Sequence, residues 1–406
     1  MTSTAPSAIV VGGGPGGLMA AEVLATNGCR VVVHEHRSSV GRKFLLAGRS
    51  GLNLTNDEPI DSLVLRYGSS GPRLEAALRV FSSDDLRDWA EGLGERSFIG
   101  SGGRVFPDSL RATPLLRAWL ARLNSLGVEF ATNSRFRGWD LDDLVFEAHG
   151  VIGRVRADIV VFALGGASWP RVGSDGGWVE PFTEAGISVT PLCASNCGVL
   201  ITWSDHFVSN HEGMPVKNVS VTVDDHTVRG DLTVTRTGLE GGAVYAHSSA
   251  LRRQLDEHGR ATMLIDLLPD QSMRQAVERL GRRRPKDSTS NALRRAFHLS
   301  PTTISFVRET RPALLPSASS ALVALLKELP VAIEGLAGID RAISSSGGVA
   351  LDQVDDNFML VSRPGTYVVG EMLDWDAPTG GYLLQATFST AVTAARAALR
   401  RTGVVS

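Results

Sequence analysis

Ala8-Ile9-Val10-Val11, followed at once by Gly12-Gly13-Gly14-Pro15-Gly16-Gly17, is the stretch from which the fold is read. The apolar residues, mostly β-branched, suit a strand buried on both faces of a parallel sheet. The glycines then follow a GxGxxG pattern. Gly12 permits a tight turn, Gly14 lets backbone approach a pyrophosphate, and Gly17 lets the next helix lie close on the strand. Pro15 suits the first helical turn. A helix through Leu18 to Leu24, stopped by Asn27-Gly28, directs free N–H groups and a positive dipole end at phosphates. Val31-Val32-Val33 reads as a second buried strand. Glu35 stands roughly 20 residues past Gly14, where a carboxylate accepts ribose hydroxyls and repels a 2′-phosphate. A bound dinucleotide is expected, and this pattern alone fits FAD and NAD equally.

The remaining composition narrows the class. A chain of 406 residues exceeds one hydrophobic core, so two or three domains are expected, and 43% hydrophobic content is enough to build them. With 41 basic and 43 acidic residues the net charge is -2, which gives no positive field for a nucleic acid and points to a small-molecule substrate. No apolar run approaches the roughly 20 residues of a membrane-spanning helix. With no secretory signal visible either, a cytoplasmic location is expected. Cys29, Cys193 and Cys197 are odd in number and form no CxxC pair, which argues against a disulfide framework or a metal site. Pro191 and Gly198 suggest irregular chain around Cys193 and Cys197, with the two thiols packed as small hydrophobes.

After the second strand, residues 41–56 form a loop dense in glycine, hydroxyls, amides and cations. Such a loop suits either a polar ligand or a solvated connection. Here the chain resembles the YhiN-like flavoproteins, a family of FAD-dependent oxidoreductases that takes in BaiN-like and aminoacetone oxidase-like proteins. The resemblance begins with Gly41-Arg42-Lys43 and Gly48-Arg49-Ser50-Gly51-Leu52-Asn53-Leu54-Thr55-Asn56. It continues in Gly103-Arg104-Val105-Phe106-Pro107, in Ala163-Leu164-Gly165-Gly166-Ala167-Ser168-Trp169-Pro170 and in Gly173-Ser174-Asp175-Gly176. Later landmarks are Ile265-Asp266-Leu267-Leu268-Pro269, Ser346-Gly347-Gly348-Val349, Gly370-Glu371-Met372-Leu373-Asp374 and Pro378-Thr379-Gly380-Gly381-Tyr382-Leu383-Leu384-Gln385. Two departures stand out: Gly51-Leu52-Asn53 replaces a Cys-Asn, and Leu383 replaces an Asn near the flavin. With Gly238-Leu239-Glu240-Gly241-Gly242 they suggest a side branch of the family.

Patterning and resemblance together imply an α/β architecture. A Rossmann-type FAD-binding domain, of the two-dinucleotide-binding-domain flavoprotein type, carries an inserted antiparallel β domain and a small helical cap. The expected division is 1–190 and 341–406 for the FAD-binding domain, 191–268 for the β-rich substrate domain and 269–340 for the cap. Residues 72–96 show two helical patterns, with Ser83 as a helix cap. Val151 to Ala163 reads as a strand returning to the parallel sheet. Val219 to Val223 and Leu232 to Val234 alternate as antiparallel strands. Met273, Ala276, Val277 and Leu280 fall at helical spacing. Arg282-Arg283-Arg284-Pro285-Lys286 reads as a solvated linker.

Near the C-terminus, Tyr367 to Glu371 is a strand ending in glycine, and Gly380-Gly381 opens an apolar helix to about Arg400. This repeats the anion-site logic of the N-terminus, with a positive helix end placed where negative charge develops on a reduced flavin. The expected cofactor contacts from the first half are Gly12, Gly14, Pro15, Gly17, Glu35, His36, Arg42, Lys43, Gly48, Gly51, Leu52, Asn53 and Gly166. The resemblance places Gly166 near the adenine end, Gly370 and Glu371 near the pyrophosphate and ribityl chain, and Asp374 near the ribityl hydroxyls. It sets Gly380, Gly381, Tyr382 and Leu383 along the isoalloxazine.

The expected activity is hydride transfer to or from FAD with a small molecule. Two versions stand open: an NAD(P)H-linked reductase of an activated double bond, with NAD(P)H binding transiently, and an oxygen-using amine oxidase. A flavin-binding regulatory protein without turnover is a third. His247 could donate a proton beside the substrate, but a structural role is favoured, and no catalytic side chain is assigned.

Overall fold

The computed structural model describes residues 5–47, 51–284, 286–311 and 314–404. Backbone contacts divide the chain into one unit of residues 1–193 with 344–406 and a second of residues 194–343.

The first unit is built on five parallel strands: β1 (Ser7–Val11), β2 (Arg30–Glu35), β3 (Glu129–Thr132), β4 (Ile159–Phe162) and β5 (Thr366–Val368). Their order across the sheet is β3-β2-β1-β4-β5, with Ile9 level with Val32 on one side and Val160 on the other. Strand order therefore reverses beside β1, and in open α/β sheets ligands bind at the carboxyl ends of strands at such a point. Gly12 to Gly17 occupies that end. The helix Pro15–Thr26 follows β1, and the twenty-residue helix Tyr382–Arg401 follows β5. The first is buried along most of its length, and the second buries Phe388, Ala391, Val392, Ala395 and Leu399.

Besides the two-stranded pairing of Val189–Ser195 with Ser344–Val349, two three-stranded sheets complete this unit. Thr55–Asn56, Arg104–Pro107 and Ser97–Ile99 form one, in the order given; Ser134–Asp140, Asp143–Ala148 and Val151–Val155 form the other. The second corrects the reading of 151–163 as a single strand of the parallel sheet. All five residues of Val151–Val155 are exposed and pair antiparallel with Asp143–Ala148; only Ile159–Phe162 lies in the core sheet. The two helices in 72–96 are Gly71–Val80 and Ser83–Glu91, and the cap is Ser82, one residue before the expected Ser83. Ser82 and Asp85 form a reciprocal capping box, which fixes that boundary. Cys193 lies in the strand Val189–Ser195 rather than in irregular chain, and all three cysteines are free.

The second unit carries a seven-stranded sheet with the order 329–333, 261–266, 215–223, 226–235, 238–240, 199–200, 335–336. Its strands pair antiparallel. Between Ala261–Asp266 and Leu329–Ile333 run the helices Met273–Gly281, Thr289–Phe297, Pro301–Thr310 and Ser319–Lys327. Ser272, Ser288 and Ser300 cap the first three through their hydroxyls. Leu280, Leu293, Phe306 and Leu322 share one core with Val221, Leu239, Met263 and Val331 of the sheet. Arg282, Arg283 and Arg284 are exposed, while Pro285 lies outside the described residues. No described helix is long and apolar enough to cross a membrane.

Candidate functional site

The three glycines of the opening motif have separate geometric reasons. Gly12 sits at φ +111°, and a Cβ there would lie 2.3 Å from the Ala163 carbonyl oxygen; at Gly17 it would lie 1.9 Å from the Gly12 oxygen. Both positions exclude any side chain because backbone cannot give way. A Cβ on Gly14 would meet no atom within 4 Å, although its φ of -82° is open to any residue. Packing accounts for Gly12 and Gly17 but not for Gly14. A ligand approaching the helix start does account for it.

Glu35, at the end of β2, faces this turn. Its Oε2 accepts from the Gly13 amide at 2.9 Å, its Oε1 from the Arg37 amide at 2.8 Å, and His36 Nδ1 lies 3.2 Å from Oε1. Burial pushes the carboxyl up, but the hydrogen bonds from His36, the Arg37 amide and the Gly13 amide outweigh it and hold it below the ordinary carboxylate range. Glu35 is thus an anion at neutral pH with lone pairs to spare.

Arg42 and Lys43 open the helix Arg42–Ala47. Lys43 Nζ donates to Ser168 Oγ at 2.6 Å and to Glu371 Oε2 at 2.8 Å, while Glu371 Oε1 accepts from the Ser345 amide at 2.8 Å. Gly166 lies on this cluster: a Cβ there would stand 2.3 Å from Ser345 Oγ and 3.4 Å from the Glu371 carboxyl carbon. Residues far apart in sequence therefore meet through one ion pair.

The C-terminal helix begins against a third segment. Gly381, at φ +98°, would place a Cβ 2.4 Å from the Thr55 carbonyl carbon, and Thr55 Oγ1 donates to Gln385 Oε1 at 2.6 Å. Leu52 is buried, and its amide donates to the Leu110 oxygen at 3.0 Å. Gly51 is held at φ +116° beside Phe106. Asn56 Nδ2 donates to the Gly380 oxygen at 3.5 Å. The two glycine-led helices also touch: a Cβ on Gly16, or on Gly370, would come within 3.2 Å of Thr387 Cγ2.

Two expected contacts use their side chains elsewhere. The buried Tyr382 donates its hydroxyl to Glu58, which Arg66 also binds, and burial followed by that acid pushes the phenol well above its usual range. Asp374 accepts from Thr190 Oγ1 at 2.6 Å. Leu383 is half-buried in the first turn of the C-terminal helix. Gly48 lies outside the described residues. His247 belongs to the other unit; it is buried, with Nε2 3.0 Å from the Val221 oxygen, and burial pushes its imidazole down. That is the environment of a structural histidine.

The donor set fits a dinucleotide. Buried and without a hydrogen-bond partner among the described residues are His36 Nε2, Arg42 Nε and Asn53 Oδ1, all expected contacts, together with Asn56 Oδ1 and Ser174 Oγ. Native chains rarely leave such atoms unmatched. Sequence reasoning missed Ser168, Ser345, Ser174 and Asn56. Each lies within or beside a landmark block, but hydroxyl and amide residues are common in loops, and only the Lys43–Glu371 pair singles out the first two.

A family model described as the HI0933-like protein Rossmann domain matches residues 6–397. The chain is 25% identical to a 3-dehydro-bile acid delta(4,6)-reductase of Clostridium scindens, over 97% of this chain and 98% of that one. It is 26% identical to a ribosomal RNA dihydrouridine synthase of Escherichia coli, over 95% of this chain and 96% of the other. Among solved structures it is similar to a 3-ketosteroid-delta4-(5alpha)-dehydrogenase of Rhodococcus jostii, with a TM-score of 0.53, 15% identity and 98% of each chain covered. A flavocytochrome c3 fumarate reductase gives a TM-score of 0.54 at 15% identity, covering 98% of this chain and 78% of that one. The structural likenesses bear on the fold.

Proposed function

This chain belongs to the HI0933-like Rossmann-domain family, and from that premise we propose that it works as an FAD-dependent oxidoreductase that reduces an activated carbon–carbon double bond in a small molecule. NAD(P)H is the transient electron donor in this reading. The observation that carries the cofactor is Gly14, where no described atom lies within 4 Å of a Cβ, within one unit that also holds His36 Nε2, Arg42 Nε and Asn53 Oδ1, buried and without a hydrogen-bond partner among the described residues. What supports reduction over amine oxidation is the pair of relatives: one is named for reducing a delta(4,6) bile acid and the other for making dihydrouridine. Both names describe saturation of a ring double bond. The net charge of -2 favours a small molecule over ribosomal RNA as the substrate of this chain.

FAD, when bound, would supply the two-electron, hydride-carrying chemistry. The chain's own groups hold and orient it. Glu35 would accept hydrogen bonds from the ribose hydroxyls, and the free amides after Gly14 would hold the pyrophosphate. Lys43, fixed by Glu371 and Ser168, brings positive charge beside Gly166. At the other end, the first-turn amides after Gly381 have no acceptor within the helix, and their dipole favours negative charge on the reduced ring. Gly381 lies against Thr55 too closely for a side chain, so that helix start is rigidly seated.

Anaerobic stopped-flow mixing of the FAD-loaded protein with NADH or NADPH tests the direction. Fast bleaching of the flavin by one of them, followed by re-oxidation that an electron-poor enone accelerates beyond air alone, is the expected result. Flavin that ignores both nucleotides, but is bleached by small primary amines and restored by oxygen, would overturn it in favour of the oxidase.

A further inference from the structure

The unit of residues 194–343 holds a cavity of about 560 Å³. Small-molecule sites span roughly 300 to 1,000 Å³ and combine apolar walls with a few placed polar groups. Met214, Leu267, Leu268 and Phe297 form the apolar part here, and Lys217 and His298 are among the polar groups.

A β-bulge brings Lys217 to this place. Pairing between Pro215–Val223 and His226–Thr235 passes from Val216 opposite Leu232 to Val219 opposite Gly230, so Lys217 and Asn218 together stand against Asp231. Bulges of this kind re-aim side chains and recur beside binding sites. Asn218 takes a left-handed φ of +55°, and His298, which ends the helix Thr289–Phe297, one of +56°. Both line the same cavity, and such backbone at residues other than glycine clusters at ligand sites.

The charges are unbalanced in a way that selects a ligand. Asp270 is the one carboxylate among the described lining residues, and it is already matched: Asn218 Nδ2 donates to it at 2.7 Å and the Arg229 guanidinium pairs with it. Lys217 has no ion pair and no side-chain hydrogen bond among the described residues. A cation without a partner beside an apolar wall suits a monoanion with a hydrocarbon body. We propose that this cavity binds a small amphipathic carboxylate, its charged end on Lys217 and its apolar part against Leu267, Leu268 and Phe297. The proposal goes beyond the redox reading and does not depend on it.

Calorimetric titration of the full FAD-loaded chain with decanoate, and with decan-1-ol as the uncharged probe, tests this. Lys217→Gln and Met214→Glu are the variants, both at exposed positions, with the flavin spectrum and thermal melt recorded to show that each is folded. Decanoate is expected to bind the wild type at millimolar concentration or below and to lose about tenfold in affinity in each variant, through the lost charge-assisted hydrogen bond in Lys217→Gln and through the added like charge in Met214→Glu. Decanol should bind wild type and Lys217→Gln alike. No heat of binding from decanoate at millimolar concentration, or equal decanoate affinity in wild type and both variants, overturns the proposal.

Discussion

His34 shows how one side chain on the central sheet sets an acid limit on stability. Its ring is 8% exposed, stacks 3.9 Å from Phe146 and places Nδ1 2.9 Å from Ser134 Oγ. Burial, with no carboxylate to offset it, pushes the imidazole down to about 4. Because the folded value lies below the unfolded one, near 6.5, the neutral ring favours the fold fully above pH ~6.5. That contribution is lost as pH falls from there toward 4, and the loss amounts to about 3 kcal/mol. Urea unfolding at pH 7 and pH 5 should show part of this loss in the wild type and much less in His34→Gln; equal acid sensitivity in both would refute it. Single residues were also where the sequence was clearest. Gly12 and Gly17 make the tight turn and the close helix packing expected of them, because a Cβ at either would run into backbone, whereas Gly14 is left open by its surroundings. The side chains of Tyr382 and Asp374 were not legible, since their partners Glu58 and Thr190 come from distant segments.

Among elements, the helix Pro15–Thr26 is held from outside the sheet by one buried acid. Glu22 Oε2 accepts from the indoles of Trp89 at 3.0 Å and Trp119 at 2.6 Å, and Oε1 accepts from Arg122 at 2.9 Å. Two helices, Ser83–Glu91 and Ala112–Ser125, thus converge on one carboxylate at 8% exposure. Glu22→Ala leaves two indole donors and a guanidinium unmatched, and is expected to cost about 3 kcal/mol of stability by urea unfolding. A loss under about 0.5 kcal/mol, the range of an ordinary surface change, would contradict this role. Patterning marked the strands Ser7–Val11 and Arg30–Glu35 and the helices Gly71–Val80, Ser83–Glu91 and Met273–Gly281, but it passed over the helix Ala112–Ser125 and misread Val151–Val155. That run is apolar enough to resemble a core strand, yet it forms an exposed edge. Apolar content reports burial only on average, and edge pairing is satisfied through backbone alone.

At the scale of the molecule, both glycine-led helix starts lie in the unit of residues 1–193 with 344–406, although most of the chain separates them in sequence. The parallel sheet makes this possible: β1 and β5 flank β4, so the helices that follow β1 and β5 run close enough for Gly16 and Thr387 to touch. The central claim is that these two helix ends serve a single FAD. The visible spectrum and extracted ligand of the purified protein, wild type beside Gly14→Val, test it most directly. A valine at Gly14 meets no protein atom within 4 Å of its Cβ, so the variant should melt like the wild type stripped of its flavin. The wild type is predicted to carry FAD in stoichiometric amount and the variant to carry none. A colourless wild type that takes up no added FAD, or a Gly14→Val protein that keeps its flavin, would contradict the account.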